Sequence, residues 1–256
     1  MKIEFDRLKM YFGEPYEIDL ESALGKLTVY QPTIGDVVEV GENKFLSTLN
    51  VFVANTTMYR LMLWDGGLDW NEVSDFQLFV LLKNMIDTDA SKLLFGDLDW
   101  NKFQPMFRKI DEDNQVLVLV NEEQNIEINE EVYEHFHRYI QTMFNMRPED
   151  EFTDDKILKQ WWVEKDRRKT DRETKKKDKD KKSVSLISQI SAYINHPGTK
   201  YKLRELKEVG VCEFYDSIQR LQIYESTTAL MRGMYSGMLD SKSIKAEDYN
   251  FMKDIN

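Results

Sequence analysis

The sequence predicts a mainly α-helical protein of α+β class. It divides into a helical N-terminal domain with a small antiparallel sheet (1–150), a charged helical or flexible spacer (151–182), and a small helical C-terminal part (183–256). Three observations predict this. Apolar residues recur at three- and four-residue steps through most of the chain, the period of one helix face. A β-branched run, Val116 to Val120, comes after a turn-forming cluster and breaks that period. An almost wholly charged stretch, Glu164 to Lys182, separates the N-terminal domain from the C-terminal part.

The first thirty residues read as irregular or stranded. Leu27, Val29 and Tyr30 alternate with Lys26 and Thr28, which suggests a short strand ended by Pro32. Thr33 is placed to cap a short helix through Val40, and Gly41 to stop it. Phe45, Leu46, Leu49, Phe52 and Val53 then mark one helix face. Met58, Leu61, Met62 and Trp64 continue the pattern until Gly66-Gly67 breaks it. Asp69 and Glu72 have capping-box spacing. The helix they would open carries Val73, Phe76, Phe79, Val80, Leu82, Met85 and Ile86, and is apolar on nearly all sides, as a central helix should be.

Phe103 to Ile110 and Val116 to Val120 flank the Asp111-Glu112-Asp113-Asn114 turn, so they read as a hairpin, with Ile126 and Ile128 on a third strand. Helix returns with Val132, Tyr133, Phe136, Tyr139, Ile140 and Met143 on one stripe. The tetrapeptide Leu68-Asp69-Trp70-Asn71 recurs as Leu98-Asp99-Trp100-Asn101. It reads either as a Trp anchor beside an Asp turn used twice or as a duplicated surface motif.

The charged stretch holds eleven basic and six acidic residues, about +5 in a chain of net charge -11. Nothing in it belongs in a core, so it should be solvated. Four acid-to-base pairs at i,i+4 favour helix over coil: Glu164–Arg168, Asp171–Lys175, Glu173–Lys177 and Asp178–Lys182. Beyond it, Leu186, Ile190, Tyr193 and Ile194 mark one helix, ended by Asn195-His196-Pro197-Gly198. Val211, Phe214, Ile218, Leu221, Tyr224 and Thr228 step along a longer one, and Leu230, Met231, Met234, Tyr235 and Met238 extend its stripe. So few helices make a thin core alone, so this part should pack on the first domain or on a partner.

Composition narrows the function. Of 256 residues, 41% are hydrophobic and 12% aromatic, enough to fold around a core. The negative charge argues against nucleic acid as a partner, because the phosphate backbone is repelled. The N-terminus Met-Lys-Ile-Glu-Phe-Asp lacks a signal-peptide h-region, and the longest apolar run is about half a membrane span. A cytoplasmic protein without a membrane partner is therefore expected.

Catalytic motifs are missing. There is no Gly-rich phosphate loop and no nucleophile elbow. His135 and His137 lie two apart on a helix and point to different faces, so they cannot share one ion. His196 reads as part of a helix terminator. Cys212, the single cysteine, reads as a small buried hydrophobe. Paired acids (Asp87 with Asp89, Asp97 with Asp99, Asp111 with Asp113) leave carboxylate chemistry open, because catalytic acids are assembled in space. The expectation is a protein that is not an enzyme, uses no cofactor or metal, and binds other proteins. Its candidate contact residues are Trp161, Trp162, Met231, Met234, Tyr235 and Met238. Adjacent tryptophans beside polar neighbours suit a binding anchor, although one could pack on the first domain. Methionine-rich faces suit adaptable binding, although core filling is the commoner use.

The stretch Tyr30-Gln31-Pro32-Thr33-Ile34-Gly35-Asp36-Val37-Val38-Glu39-Val40-Gly41-Glu42 resembles the opening of small proteins encoded near the tape-measure gene of tailed bacteriophages. Leu63-Trp64-Asp65, Ser74-Asp75-Phe76-Gln77-Leu78-Phe79, and the segments Tyr201 to Leu221 and Leu230 to Gly237 are similar to the same group. This resemblance implies a tail assembly chaperone in the host cytoplasm. Such a protein holds the tape-measure protein, or other tail proteins, soluble while the tail tube forms, and self-association is a further option. The resemblance equally accommodates a structural tail or head–tail connector component of the virion.

Overall fold

The computed structural model describes residues 3–20, 25–109, 111, 114–176, 185–240 and 244–253. Asp6 accepts the backbone N–H groups of Leu8 and Lys9 and opens α1 (Arg7–Tyr11). β1 (Tyr16–Asp19) and β2 (Lys26–Val29) pair antiparallel, with Tyr16 opposite Val29. Thr33 and Asp36 exchange side-chain and backbone hydrogen bonds in a capping box that starts α2 (Ile34–Val40). Gly41 ends it at φ 101°, a conformation that a side chain resists, and leads directly into α3 (Glu42–Val53). Phe45, Leu49, Phe52 and Val53 are buried on the expected face of α3.

Three expectations are corrected in the next helices. In α4 (Arg60–Asp65) the buried residues are Arg60 and Leu63, while Met58 and Met62 are exposed. The extended backbone at Ala54 resets the helical phase, so the stripe of α3 does not run on into α4. The capping box of α5 (Asp75–Leu82) is made by Ser74 and Gln77, not by Asp69 and Glu72. Asp69 instead accepts the Asn71 N–H and pairs with Lys159. Nor is α5 buried all round. Phe76, Leu78, Phe79 and Leu82 face the core, and Leu81 and Gln77 face solvent.

Asp87 caps α6 (Thr88–Phe95) by accepting from Asp89 and Ala90. The three-stranded sheet comes next, in order β3 (Gln104–Lys109), β4 (Gln115–Asn121), β5 (Ile126–Ile128), all antiparallel as expected. α7 (Glu130–Met143), capped by Asn129, buries its whole expected stripe from Val132 to Met143. Both copies of the repeated tetrapeptide are Asp turns with a buried Trp. Asp69 and Asp99 accept from Asn71 and Asn101, and Trp70 and Trp100 are each 1% exposed. Trp100 sits amid Phe52, Phe79, Phe95, Phe103 and Phe136 at ring separations of 5.0–5.6 Å, mostly edge to face.

The spacer is helical from its start: α8 spans Lys156–Lys176. Of the expected i,i+4 pairs, Glu164–Arg168 forms at 3.6 Å. The Asp171–Lys175 pair involves a side chain outside the described residues, and the Glu173–Lys177 and Asp178–Lys182 pairs and the boundary at 182 involve positions outside them. α9 (Leu186–Ile194) and α10 (Val211–Tyr235) complete the chain's long elements. With 55% of the chain helical and two small sheets, the fold is mainly α within the α+β class.

The base of the C-terminal part is bonded to the α2 segment. Ile34 N–H donates to the Val209 carbonyl at 2.9 Å, and Val211 N–H to the Pro32 carbonyl at 3.0 Å. Leu186 N–H donates to the Glu42 carboxylate at 2.6 Å. A Cβ at Gly210 would lie 2.3 Å from the Gln31 amide oxygen, so it would displace the Gln31 side chain that accepts the Cys212 N–H. Leu206, Val209, Val211 and Phe214 join the same continuous core as the N-terminal helices.

Candidate protein-binding surfaces

The two tryptophans of α8 have opposite environments. Each residue of a helix turns by roughly 100°, so neighbours cannot share a face. Trp162 turns inward, its ring 6.4 Å from that of Trp70. Trp161 turns outward, 56% exposed, with the Lys165 ammonium 5.4 Å from its ring centre.

The residue that holds α8 in place is one the sequence stripe did not single out. Arg60 is 3% exposed, with its guanidinium between the rings of Trp70 and Trp162 at 5.3 and 5.2 Å. It donates from Nε and Nη2 to the Asp166 carboxylate and from Nη1 to that of Glu151, at 2.7–2.9 Å. Lys159 pairs with Asp69, and Arg167 with Asp65 at 2.6 Å. Burial pushes the Asp69 carboxyl up, but the Lys159 ammonium and the Asn71 N–H outweigh it and leave it below its ordinary value. Val163, on the same inner face, is buried. The expectation that nothing in the charged stretch enters the fold is therefore corrected at Asp166. It is drawn in because a buried guanidinium needs a carboxylate partner.

The second surface is the far half of α10. Only Val211, Phe214 and Thr227 of this helix are buried. Met231, Tyr235 and Met238 are exposed, the last two at 85%, and Met234 is half-buried. The stripe that the sequence extends to Met238 therefore leaves the core: the helix ends at Tyr235, and its far end is largely exposed among the described residues. Leu239, Phe251 and Met252 add exposed apolar area, and the Phe251 ring meets Tyr224 edge-on at 6.2 Å. Nearer the base, Ala192, Tyr193, Ile218 and Leu221 line an open apolar groove between α9 and α10, with His196 and Glu225 at its rim.

Several of the residues considered for chemistry are bonded within the fold. The buried His137 shares Nδ1 with the Phe52 carbonyl at 2.8 Å and the Tyr133 hydroxyl at 3.0 Å. Its Nε2 meets the Gln141 amide at 2.9 Å. Burial lowers its pKa to about 4, so the ring is neutral. His135 meets the Tyr16 hydroxyl at 2.7 Å, on a different face. His196 accepts the Gly198 N–H in the turn after α9. Cys212 is half-buried and its thiol is pushed up to about 11, mainly by burial. Asp87 and Asp99 cap helical turns, and Asp111 accepts from Asn114. Asp113 lies outside the described residues. Among the described residues no three His, Cys, Asp or Glu side chains form a group that could hold a metal ion. No helix among them is long and apolar enough to cross a membrane.

Residues 175–256 match the family model described as the YomV second domain, of a phage-related family. That similarity associates the C-terminal third of the chain, including α9 and α10, with phage proteins. No curated protein and no solved structure gives a match.

Proposed function

We propose that this protein is a bacteriophage tail assembly chaperone, acting in the host cytoplasm to hold the tape-measure protein soluble during tail assembly. The observation that carries this reading is the exposed apolar end of α10, at Met231, Tyr235 and Met238, within the segment similar to a phage-related family. A helix end of this kind is suited to a long apolar client. Methionine side chains are unbranched and polarizable, so they adapt to many sequences. The body that presents them is acidic, and net charge of one sign keeps a client-laden protein from self-association. The client is helical, and its apolar face lies on α10 and in the groove beside α9. The protein transforms no small molecule and needs no cofactor in this role.

The test is co-expression with the long helical protein encoded beside it. The client should stay soluble and co-purify with this chain, and Met231→Asp with Tyr235→Asp should lose both effects. A client equally soluble alone that never co-purifies would end the chaperone reading. Recovery of this chain as a stoichiometric component of purified virions would assign it to the tail or connector instead.

A further inference from the structure

Seen down its axis, α8 has a second organised face, opposite the one that packs on α4. Ile157, Trp161, Lys165, Arg168 and Arg172 fall within an arc of roughly 80° at 100° per residue. All five are exposed, Ile157 at 78% and Trp161 at 56%. Leu158 and Lys169 border the arc on one side and Glu164 on the other. The stripe therefore has an apolar start and a cationic continuation, and runs about 22 Å at 1.5 Å per residue. The inner face, with Trp162, Val163 and Asp166, is held by Arg60, so the outer stripe is presented on a fixed rod. Arg168 has Glu164 at 3.6 Å, whereas Lys165, Lys169 and Arg172 have no ion-pair partner among the described residues.

We infer that this stripe docks an acidic helical segment of another polypeptide, with carboxylates at i,i+4 spacing and an apolar residue at one end. Charge complementarity favours that occupant. Basic groups three and four residues apart on one helix lie at the spacing of carboxylates three and four apart on another. An apolar residue of the segment covers Ile157 and one face of Trp161. Lys165 already occupies a face of the Trp161 ring, and no second exposed aromatic lies beyond it along the stripe, so a stacking platform for bases is lacking. The strongly acidic remainder of the chain repels an extended polyanion, but a single short helix touches the stripe alone. This inference rests on the partner-binding reading above and adds to it the chemistry of the bound segment.

The experiment uses the full-length chain and a labelled synthetic helical peptide about as long as α8, carrying glutamates at i,i+4 and leucines at one end. Binding is read by fluorescence anisotropy against a glutamine version of the peptide, a single-stranded RNA, and phosphatidylglycerol vesicles. The glutamate peptide should bind, and weaken as salt rises. Trp161→Ala should weaken binding about tenfold. Lys165→Glu with Arg168→Glu and Arg172→Glu should weaken it about a hundredfold at low salt. The altered side chains are solvent-exposed, and unchanged circular dichroism and urea midpoint confirm that the variants fold.

Equal binding of the glutamine peptide, or tighter binding of RNA or vesicles, would overturn the inference. So would a charge-reversed protein that binds as before. Co-expression keeps the two readings apart. A charge-reversed chain that binds the peptide as before while still solubilising its client would overturn this inference and leave the chaperone reading standing. Peptide binding with no client recovered would do the reverse.

Discussion

Replacing Arg60 by alanine should release α8 from the body of the protein. The magnitude comes from the groups Arg60 touches. Its three hydrogen bonds to the carboxylates of Asp166 and Glu151 are charge-assisted and 2.7–2.9 Å long. Breaking a fully buried ion pair costs roughly 3–5 kcal/mol because a charge is left stranded. Here the stranded carboxylates are 28% and 31% exposed and can regain water, which reduces that cost. The two cation–π contacts add back about 0.5–1 kcal/mol each. The net loss should be about 3 kcal/mol, a urea midpoint lower by about 1 M at unchanged slope. Hydrogen exchange should place the change in α8, whose amides lose protection before those of α3 and α7. Arg60→Lys should recover less than half, since one ammonium cannot bridge two carboxylates in a planar fork. A loss below about 0.5 kcal/mol, with α8 amides as protected as before, would refute the clasp. That outcome would mean that Trp162, Val163 and the Lys159–Asp69 and Arg167–Asp65 pairs hold α8 without it.

Three further outcomes are expected. Trp161→Ala should leave stability within about 0.5 kcal/mol, whereas Trp162→Ala should cost about 2–3 kcal/mol through lost packing on Trp70 and Arg60, both read from urea unfolding. His137 is held neutral, with a folded pKa near 4 against 6.5 for the free side chain, so the unfolded chain takes up its proton first. Its contribution should therefore be complete above pH 6.5 and fall by up to ~3 kcal/mol towards pH 4. A His137→Gln chain should have a correspondingly flatter stability profile between those values. Thr33→Ala should remove the α2 capping box and cost about 1 kcal/mol, and Thr33→Ser should restore most of it.

Local rules carried far where one physical effect acted alone. The α7 stripe reads correctly because a helix with one side against a core must repeat its apolar residues every three or four positions. The β3–β4–β5 order comes from a β-branched run beside an acidic turn. Arg60 escaped the pattern because burial of an arginine depends on partners 91 and 106 residues away in sequence, which no local period encodes. Asp166 escaped for the same reason, since a carboxylate inside a charged run looks like its solvated neighbours.

The surfaces were harder still. Met231, Tyr235 and Met238 continue the apolar stripe of α10, and the same period describes a face that meets a core and a face left exposed. Only exposure separates the two. On α8, Trp161 and Trp162 stand out as a pair, but which one turns inward depends on Trp70 and Arg60. The outward position of Ile157 becomes legible once that phase is known. The placement of the two histidines was legible as well: His135 and His137, two apart on a helix, face apart, each bonded within the fold.

The central claim is that the far end of α10 grips another polypeptide. A photo-crosslinking amino acid at position 235, in the full-length chain co-expressed with the long helical client, tests this most directly. The expected result is one dominant cross-linked product joining this chain to the client, with little product from the same group placed at position 81 on the exposed side of α5. Cross-linking equal at both positions, or a client that never joins the chain through position 235, would contradict the claim.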